Sequence, residues 1–308
     1  MSDESTCIPR RHLLQRDDAS VTVRSRVRRI LGQEDVNFLL TNRIPRRLVT
    51  RFMGWFGRIE RPLVREASIA IWRFFGDLDL RDAKKTRFRS LHDCFVRELA
   101  EGARPVDADP AVLISPCDGI VGAFGPINGD MVLQAKGFPY TLHELTGDAE
   151  EATRYRNGCY VTLRLTAGMY HHFHAPYDCR VRRVTYISGD TWNVNPIALA
   201  RIEKLFCRNE RAVIRAELAR SGSTIALVAV AAVLVAGIRL RFADVPAALR
   251  RSGANEIGCD AALAKGEEMG WFEHGSTIIV LAPHGFTPSP DVSEGATVRM
   301  GCSLLRLP

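Results

Sequence analysis

Three short segments of the 308-residue sequence carry side chains that could do chemistry. Ser115-Pro116-Cys117-Asp118-Gly119 sets a carboxylate in a turn between two apolar runs, where Asp before Gly is first of all turn chemistry. Tyr170-His171-His172-Phe173-His174-Ala175-Pro176 follows the alternating run 160–166 and concentrates imidazoles, which titrate near neutral pH. In an extended segment His172 and His174 share one face and His171 takes the other, so the three cannot all ligate one metal ion. No HExxH-like companion supplies further ligands, and no metal is expected. General acid/base work, with Asp118 orienting one ring, is the sharper expectation; histidines that are simply packed or exposed are the alternative. The third segment, Gly266-Glu267-Glu268-Met269-Gly270-Trp271-Phe272-Glu273-His274-Gly275-Ser276-Thr277, runs into the apolar stretch 278–283. A Gly275-Ser276 pair at the mouth of a buried strand is either a capped turn or a serine beside a reactive peptide bond. It is no hydrolase elbow, because the GxSxG pattern is absent. A second Gly-Ser-Thr, at Gly222-Ser223-Thr224, lacks the Gly-Glu-Glu-Met-Gly lead-in.

The elements that must hold these segments follow from composition and period. A 46% hydrophobic share with 25% charged residues is ordinary globular composition, which excludes disorder as the main state. The formal charge of +7 is unevenly placed: residues 1–90 hold 20 basic and 11 acidic side chains, so the whole surplus is N-terminal. Residues 1–35 are polar and Arg-rich and call for no structure, and their acidic residues and lack of an apolar run argue against a targeting peptide. From Arg46 the period changes. Leu48, Phe52, Phe56, Ile59 and Leu63 recur at helical steps beside Trp55, and after an interruption at Pro62 a second stripe runs through Leu63, Ala67, Ala70, Ile71, Phe74 and Phe75. Arginines decorate both. Basic residues beside a Trp- and Phe-rich face suit helices lying in a membrane interface, or else helices docked on the protein's own core. Nucleic acid is not expected as a partner, because no recognised binding motif accompanies the charge.

After about Ser90 the sequence predicts strands over 111–115, 119–124, 160–166, 180–187, 223–230, 276–282 and 297–307, with helices around 91–99 and 196–205. The run 225–238 is 14 residues long, short of the roughly 20 that a membrane span needs, and predicts two buried strands or one bent strand. Eight cysteines without a CxxC pair exclude zinc-finger and thioredoxin-type motifs and read as buried free thiols. The expected class is α+β: N-terminal amphipathic helices in a basic region 1–88, then one large, mostly antiparallel β-rich catalytic domain over 89–308.

Read in order, FRSLHDCFVRELAEGARPV, SPCDGIV, QAKGFPYTLHEL, YHHFHAP, SGDTWNVNP, LFCRNERAV, KGEEMGWFEHGST and VLAP resemble the phosphatidylserine decarboxylase family across roughly residues 88–308. The sequence departs from the family at His274, where Leu or Gly usually precedes Gly-Ser-Thr, at Asp178-Cys179, and in VAVAAVLVAGI. The resemblance implies a pyruvoyl cofactor built from the chain itself. Ser276 Oγ would attack the Gly275 carbonyl to give an ester; elimination would break the chain, and the dehydroalanine left at residue 276 would hydrolyse to pyruvoyl and ammonia. His174 would serve as base with Asp118 as its orienter, the Ser–His–Asp logic applied to the enzyme's own backbone. His171 would serve decarboxylation, protonating Cα or positioning the carboxylate; His172 has no assigned role. Electron-sink chemistry is what an amino-acid headgroup needs to lose CO₂. The further implications are two chains, 1–275 and 276–308, that stay associated, a membrane phospholipid substrate, an anionic membrane surface as partner, room for a homo-oligomer, and a peripheral place on the cytoplasmic face of the cell membrane. Three other readings stay open: a relative of the same fold and cofactor that decarboxylates a soluble amino acid, a serine hydrolase using Ser276, His174 and Asp118 without cleaving itself, and a lipid-binding protein with no activity.

Overall fold

The computed structural model describes residues 38, 46–76, 78–134, 138–232, 237–245, 253–273 and 276–308. The Arg-rich segment 1–35, residues His274 and Gly275, the side chains of Arg46, Arg47, Arg51 and Phe75, and the centre of the 225–238 run lie outside the described residues. In chain order the elements are α1 (Arg46–Phe56), α2 (Pro62–Phe75), α3 (Leu91–Phe95), β1 (Val112–Ile114), β2 (Gly119–Pro126), β3 (Met131–Leu133), β4 (Pro139–Thr141), α4 (Leu142–Thr146), α5 (Ala149–Arg154), β5 (Cys159–Leu165), β6 (His172–His174), β7 (Cys179–Ile187), α6 (Pro196–Leu199), α7 (Leu205–Arg208), β8 (Arg211–Leu218), β9 (Thr224–Ala231), β10 (Ile238–Leu240), β11 (Ala254–Leu263), β12 (Glu268–Phe272), β13 (Ser276–Ala282), β14 (Thr287–Pro288), β15 (Thr297–Val298) and β16 (Ser303–Arg306).

An eight-stranded sheet in the order β11-β7-β8-β9-β13-β5-β2-β15 forms the middle layer, and every neighbouring pair in it is antiparallel. Side chains alternate across it. On β13, Ile278, Val280 and Ala282 enter one core with Phe173, Phe272 and Leu304, under the small sheets β10-β12-β6 and β1-β16-β14. Ile279 and Leu281 face the other way, into a core with Leu142, Leu145, Tyr155, Leu199 and Phe206 from the short helices. A strand covered on both faces must read as an unbroken apolar run, which is why 225–231 and 278–282 look as they do. The run at 225–238 is thus two strands, β9 and β10, and among the described residues no helix is long and apolar enough to cross a membrane.

The mixed α+β class, with helices first and mostly antiparallel sheets after, is what the structure shows. Details differ from the sequence expectation for identifiable reasons. Strand β8 goes unread because Arg211 and Arg215 are buried within it and break the apolar pattern. The edge strand β11 alternates between exposed and intermediate positions and shows little apolar signal. The expected strand 297–307 divides into β15 and β16 at Gly301, whose φ of +92° turns the chain. The helix expected over 196–205 divides into α6 and α7 at Lys204, which sits in the left-handed region at φ 55°. Pro62 opens α2 at its first turn, where a missing N–H costs nothing. Cys94, Cys117, Cys159, Cys179, Cys207 and Cys259 are free thiols as expected, whereas Cys302 is disulfide-bonded.

Candidate active site

Ser276 is the first residue of β13. Its backbone is paired on both sides, with Leu165 of β5 and Ala231 of β9, so its place is fixed by the centre of the main sheet. Its side chain is fully buried, and Oγ has no hydrogen-bond partner among the described residues. An unpaired buried hydroxyl costs about 1–3 kcal/mol and calls for an explanation; Ser276 lines a cavity of about 690 Å³. Met53 and Phe56 of α1, Val64, Ile71 and Trp72 of α2, and Leu91 and Phe95 of α3 supply its apolar wall, while Arg164, Thr166, Asn193 and Asn195 supply polar groups.

The histidine segment is extended, the condition under which the faces were expected to divide, and its faces divide accordingly. Tyr170, His172 and His174 share one face: the Tyr170 ring stacks on His172 at 4.9 Å and lies 5.8 Å from that of His174. His174 is buried, and burial lowers its pKa. Its Nδ1–H donates to the Gly266 carbonyl at 2.8 Å, which leaves Nε2 as the basic nitrogen, accepting from the Tyr170 hydroxyl at 3.0 Å. Burial also raises the Tyr170 phenol, so that it stays a donor. His172 sits between Tyr170 and Trp271, with Nδ1 2.9 Å from Glu268 Oε1 and Nε2 3.2 Å from the Val96 carbonyl. Burial pushes the Glu268 carboxyl up, but the hydrogen bonds from His172 and Arg241 outweigh it and hold the group down to about 2. His171 turns to the opposite face. Its Nδ1–H donates to the Met169 carbonyl at 2.9 Å, and its ring lies 4.1 Å from that of Phe95, which itself lines the Ser276 cavity.

Asp118 stands elsewhere than the sequence reading put it. It receives Arg104 Nε and Nη2 at 2.9 and 2.6 Å and the Met300 N–H at 2.9 Å, and no hydrogen bond joins it to His174. Arg104 also reaches Asp82, so Asp118 is half of a partly buried ion-pair network. The orienting bond expected from Asp118 is made instead by the Gly266 carbonyl. Asp118 still acts on His174 through space, its charge favouring the protonated ring. Ser276, His174 and Asp118 are therefore not linked by hydrogen bonds among the described residues, and the peptide before Ser276 lies outside them.

Three positioning residues escaped sequence reasoning. Tyr170 holds the basic nitrogen of His174, and its place one turn of the strand period before His172 was the available signal. Asn209 receives the Trp192 N–H and donates to the Trp192 and Ala231 carbonyls, pinning the loop that bears Asn193 and Asn195 to the strand beside Ser276. Gly270 lies where β12 runs between β10 and β6: a Cβ there would stand 2.0 Å from the Arg239 carbonyl oxygen and 2.8 Å from the Phe173 ring. The decoy Gly222-Ser223-Thr224 forms the connection from β8 to β9, with Gly222 exposed at φ +65°.

A sheet-centred serine with an orphaned hydroxyl lines a largely apolar cavity, and a buried histidine with one ring nitrogen committed to a carbonyl stands on the strand β6. Comparison with known proteins carries this further: the sequence profile of the phosphatidylserine decarboxylase family matches residues 91–306. The chain is 33% identical to a phosphatidylserine decarboxylase proenzyme from Erwinia tasmaniensis over 278 residues, covering 86% of this chain and 92% of that one. It is 32% identical over 280 residues to proteins of the same description from Yersinia pestis and Yersinia pseudotuberculosis, covering 87% of this chain and 95% of each. The chain belongs to the phosphatidylserine decarboxylase family.

Proposed function

We propose that the chain is a phosphatidylserine decarboxylase proenzyme that cleaves itself between Gly275 and Ser276 and then converts phosphatidylserine to phosphatidylethanolamine and CO₂. The observation that carries this reading is the orphaned Ser276 Oγ, fully buried at the mouth of a central strand, on a residue that lines an apolar cavity. A hydroxyl with no partner is available to attack the preceding carbonyl, and a residue held by two ladders keeps its place after the chain is cut. The same position suits a pyruvoyl group derived from residue 276, which would supply the electron sink for loss of CO₂.

His174 is the proton acceptor for self-cleavage, because its Nδ1–H is committed to Gly266 and burial keeps Nε2 unprotonated and basic at neutral pH. Tyr170, bonded to that nitrogen, holds it. Asp118 contributes charge at a distance, favouring the imidazolium that forms. His171, on the Phe95 side of the segment, serves the decarboxylation step. The products are the chains 1–275 and 276–308, joined through β13, and the division into a basic N-terminal region 1–88 and a catalytic domain 89–308 follows the change in period.

The cavity wall made by α1 and α2 supports a peripheral place at an anionic membrane surface, on the cytoplasmic face of the cell membrane, as monomer or homo-oligomer. Those helices are apolar on two sides. Met53, Phe56 and Trp72 line the cavity, Leu48, Phe52, Trp55, Leu63 and Phe74 are exposed, Leu63 to 85%, and Ile71 lines the cavity while remaining exposed. Inserting such side chains gains about 25 cal/mol per Å² removed from water, and each nearby basic residue adds roughly 1 kcal/mol at an anionic surface. Assays with phosphatidylserine vesicles against free serine test the reading: activity on vesicles supports it, and activity on the free amino acid alone replaces it with the soluble-substrate relative.

A further inference from the structure

Arg164 is the anomaly of the Ser276 cavity. It lies on β5, opposite Thr277 in the ladder with β13 and therefore one position from the pair formed by Leu165 and Ser276. It is half-buried and lines the cavity, and no carboxylate and no hydrogen-bond acceptor engages its guanidinium among the described residues. Burial lowers its pKa, and no anion offsets this among the described residues. Three partnered arginines differ. Arg104 holds Asp118 and Asp82, Arg215 holds Glu151 and Asp148, and Arg211 donates to four backbone carbonyls. The hydroxyl of Thr277, across the ladder from Arg164, is likewise buried without a partner. A permanently charged group in an apolar wall is costly unless a ligand brings the counter-charge.

We infer that Arg164 binds the phosphodiester of the substrate. This rests on the reading of the cavity as the phospholipid site. Phosphatidylserine offers two anions, and the chemistry separates them. The carboxylate loses its charge as CO₂ departs, so a guanidinium clamped to it would stabilise the ground state more than the transition state and slow the reaction. The phosphodiester keeps its charge throughout, and holding it positions the headgroup without opposing the step. Arg164 and Ser276 line the same cavity from neighbouring strands, and only four bonds separate the serine nitrogen of the substrate from phosphorus. Guanidinium geometry also suits two phosphate oxygens at once.

The test is titration calorimetry of the processed enzyme with dihexanoyl-phosphatidylethanolamine, which has the phosphodiester but no carboxylate, with dihexanoylglycerol as the uncharged control. Arg164→Met should bind the phosphatidylethanolamine about 10- to 100-fold more weakly than the wild type, the range expected for loss of one charge-assisted contact. Arg164→Lys should recover part of the loss, and with phosphatidylserine as substrate the methionine variant should show a raised KM with a much smaller change in kcat. Self-cleavage on a denaturing gel reports the fold of each variant; where the methionine variant fails to process, the lysine variant's affinity decides. Equal affinity of wild type and variant for phosphatidylethanolamine overturns the inference, as does a loss confined to phosphatidylserine, which would assign Arg164 to the carboxylate. A wild type that neither processes nor decarboxylates phosphatidylserine would instead defeat the functional reading, and with it the inference that rests on it.

Discussion

The chain contains Gly-Ser-Thr twice, and the two copies have opposite fates. At residues 222–224 the tripeptide closes the turn between β8 and β9: Gly222 is exposed at φ +65°, Ser223 offers its carbonyl to the Leu218 N–H, and the Ser221 hydroxyl caps the Ser223 N–H. At 276–277 the serine is buried between two strands of the main sheet, its hydroxyl is unpaired, and the residue lines a cavity. Both serines begin or adjoin a strand of nearly unbroken apolar sequence. What separates them is burial, the second strand partner and the cavity, all of which come from residues far away in the sequence. On the proposed reading, reactivity of a Gly-Ser bond is a property of its surroundings, and solvent reaches Ser223 in a way that it cannot reach the buried Ser276.

The largest expected effect sharpens that contrast. Ser276→Ala should remain one chain and lose decarboxylation entirely, whereas Ser223→Ala should process and turn over as the wild type does, with stability within about 0.5 kcal/mol of it. Gel analysis and CO₂ release check both. The histidines come next. His174→Ala should stay unprocessed, and His171→Ala should process but decarboxylate poorly; equal processing by both would remove the assignment of His174 as base. Asp118→Asn should process about tenfold more slowly, the worth of about 1.4 kcal/mol in the barrier, because it touches His174 only through space. Loss as complete as that of His174→Ala would mean that Asp118 swings from Arg104 onto the ring before cleavage.

The pH dependence follows in size. Burial lowers the pKa of His174 and of His92 from the ordinary value near 6.5. The unfolded chain therefore binds more protons than the folded one as pH falls, so their contribution to stability is full above about pH 6.5 and is lost progressively below it. Processing should likewise be flat above pH 6.5 and fall only at lower pH, where Nε2 takes up a proton. A processing rate still rising above pH 7 would contradict a buried, neutral His174. The smallest effect belongs to the hairpin: Gly222→Ala, forced to φ +65°, should cost roughly 1 kcal/mol in a denaturant melt and leave cleavage untouched.

Much of this was legible in the sequence, for physical reasons that also mark where it stops. Period-two alternation put His171 opposite His172 and His174, because a side-chain period in an extended strand admits no other arrangement. Length and valine content marked 225–238 as buried sheet and left two strands or one bent strand open; the structure has β9 and β10 there. The pairing of Asp118 was not legible. A carboxylate's partner depends on which long side chain reaches it, and Arg104, 14 residues earlier, leaves no periodic trace. The cavity was equally hidden, since its wall comes from α1, α2, α3, β5 and the loop at 193–195, and only tertiary assembly brings them together. The stripes on α1 and α2 were read as single faces, whereas Phe56 turns to the cavity and Phe52 and Trp55 turn outward.

The mass of the purified protein under denaturing conditions tests self-cleavage most directly. Two species are expected, residues 1–275 and a fragment 276–308 whose N-terminus bears a carbonyl in place of the amine, detectable by its reaction with a hydrazide or by borohydride reduction. A single intact species of 34.3 kDa in an active preparation, or a cut at Gly222-Ser223, would contradict self-cleavage between Gly275 and Ser276.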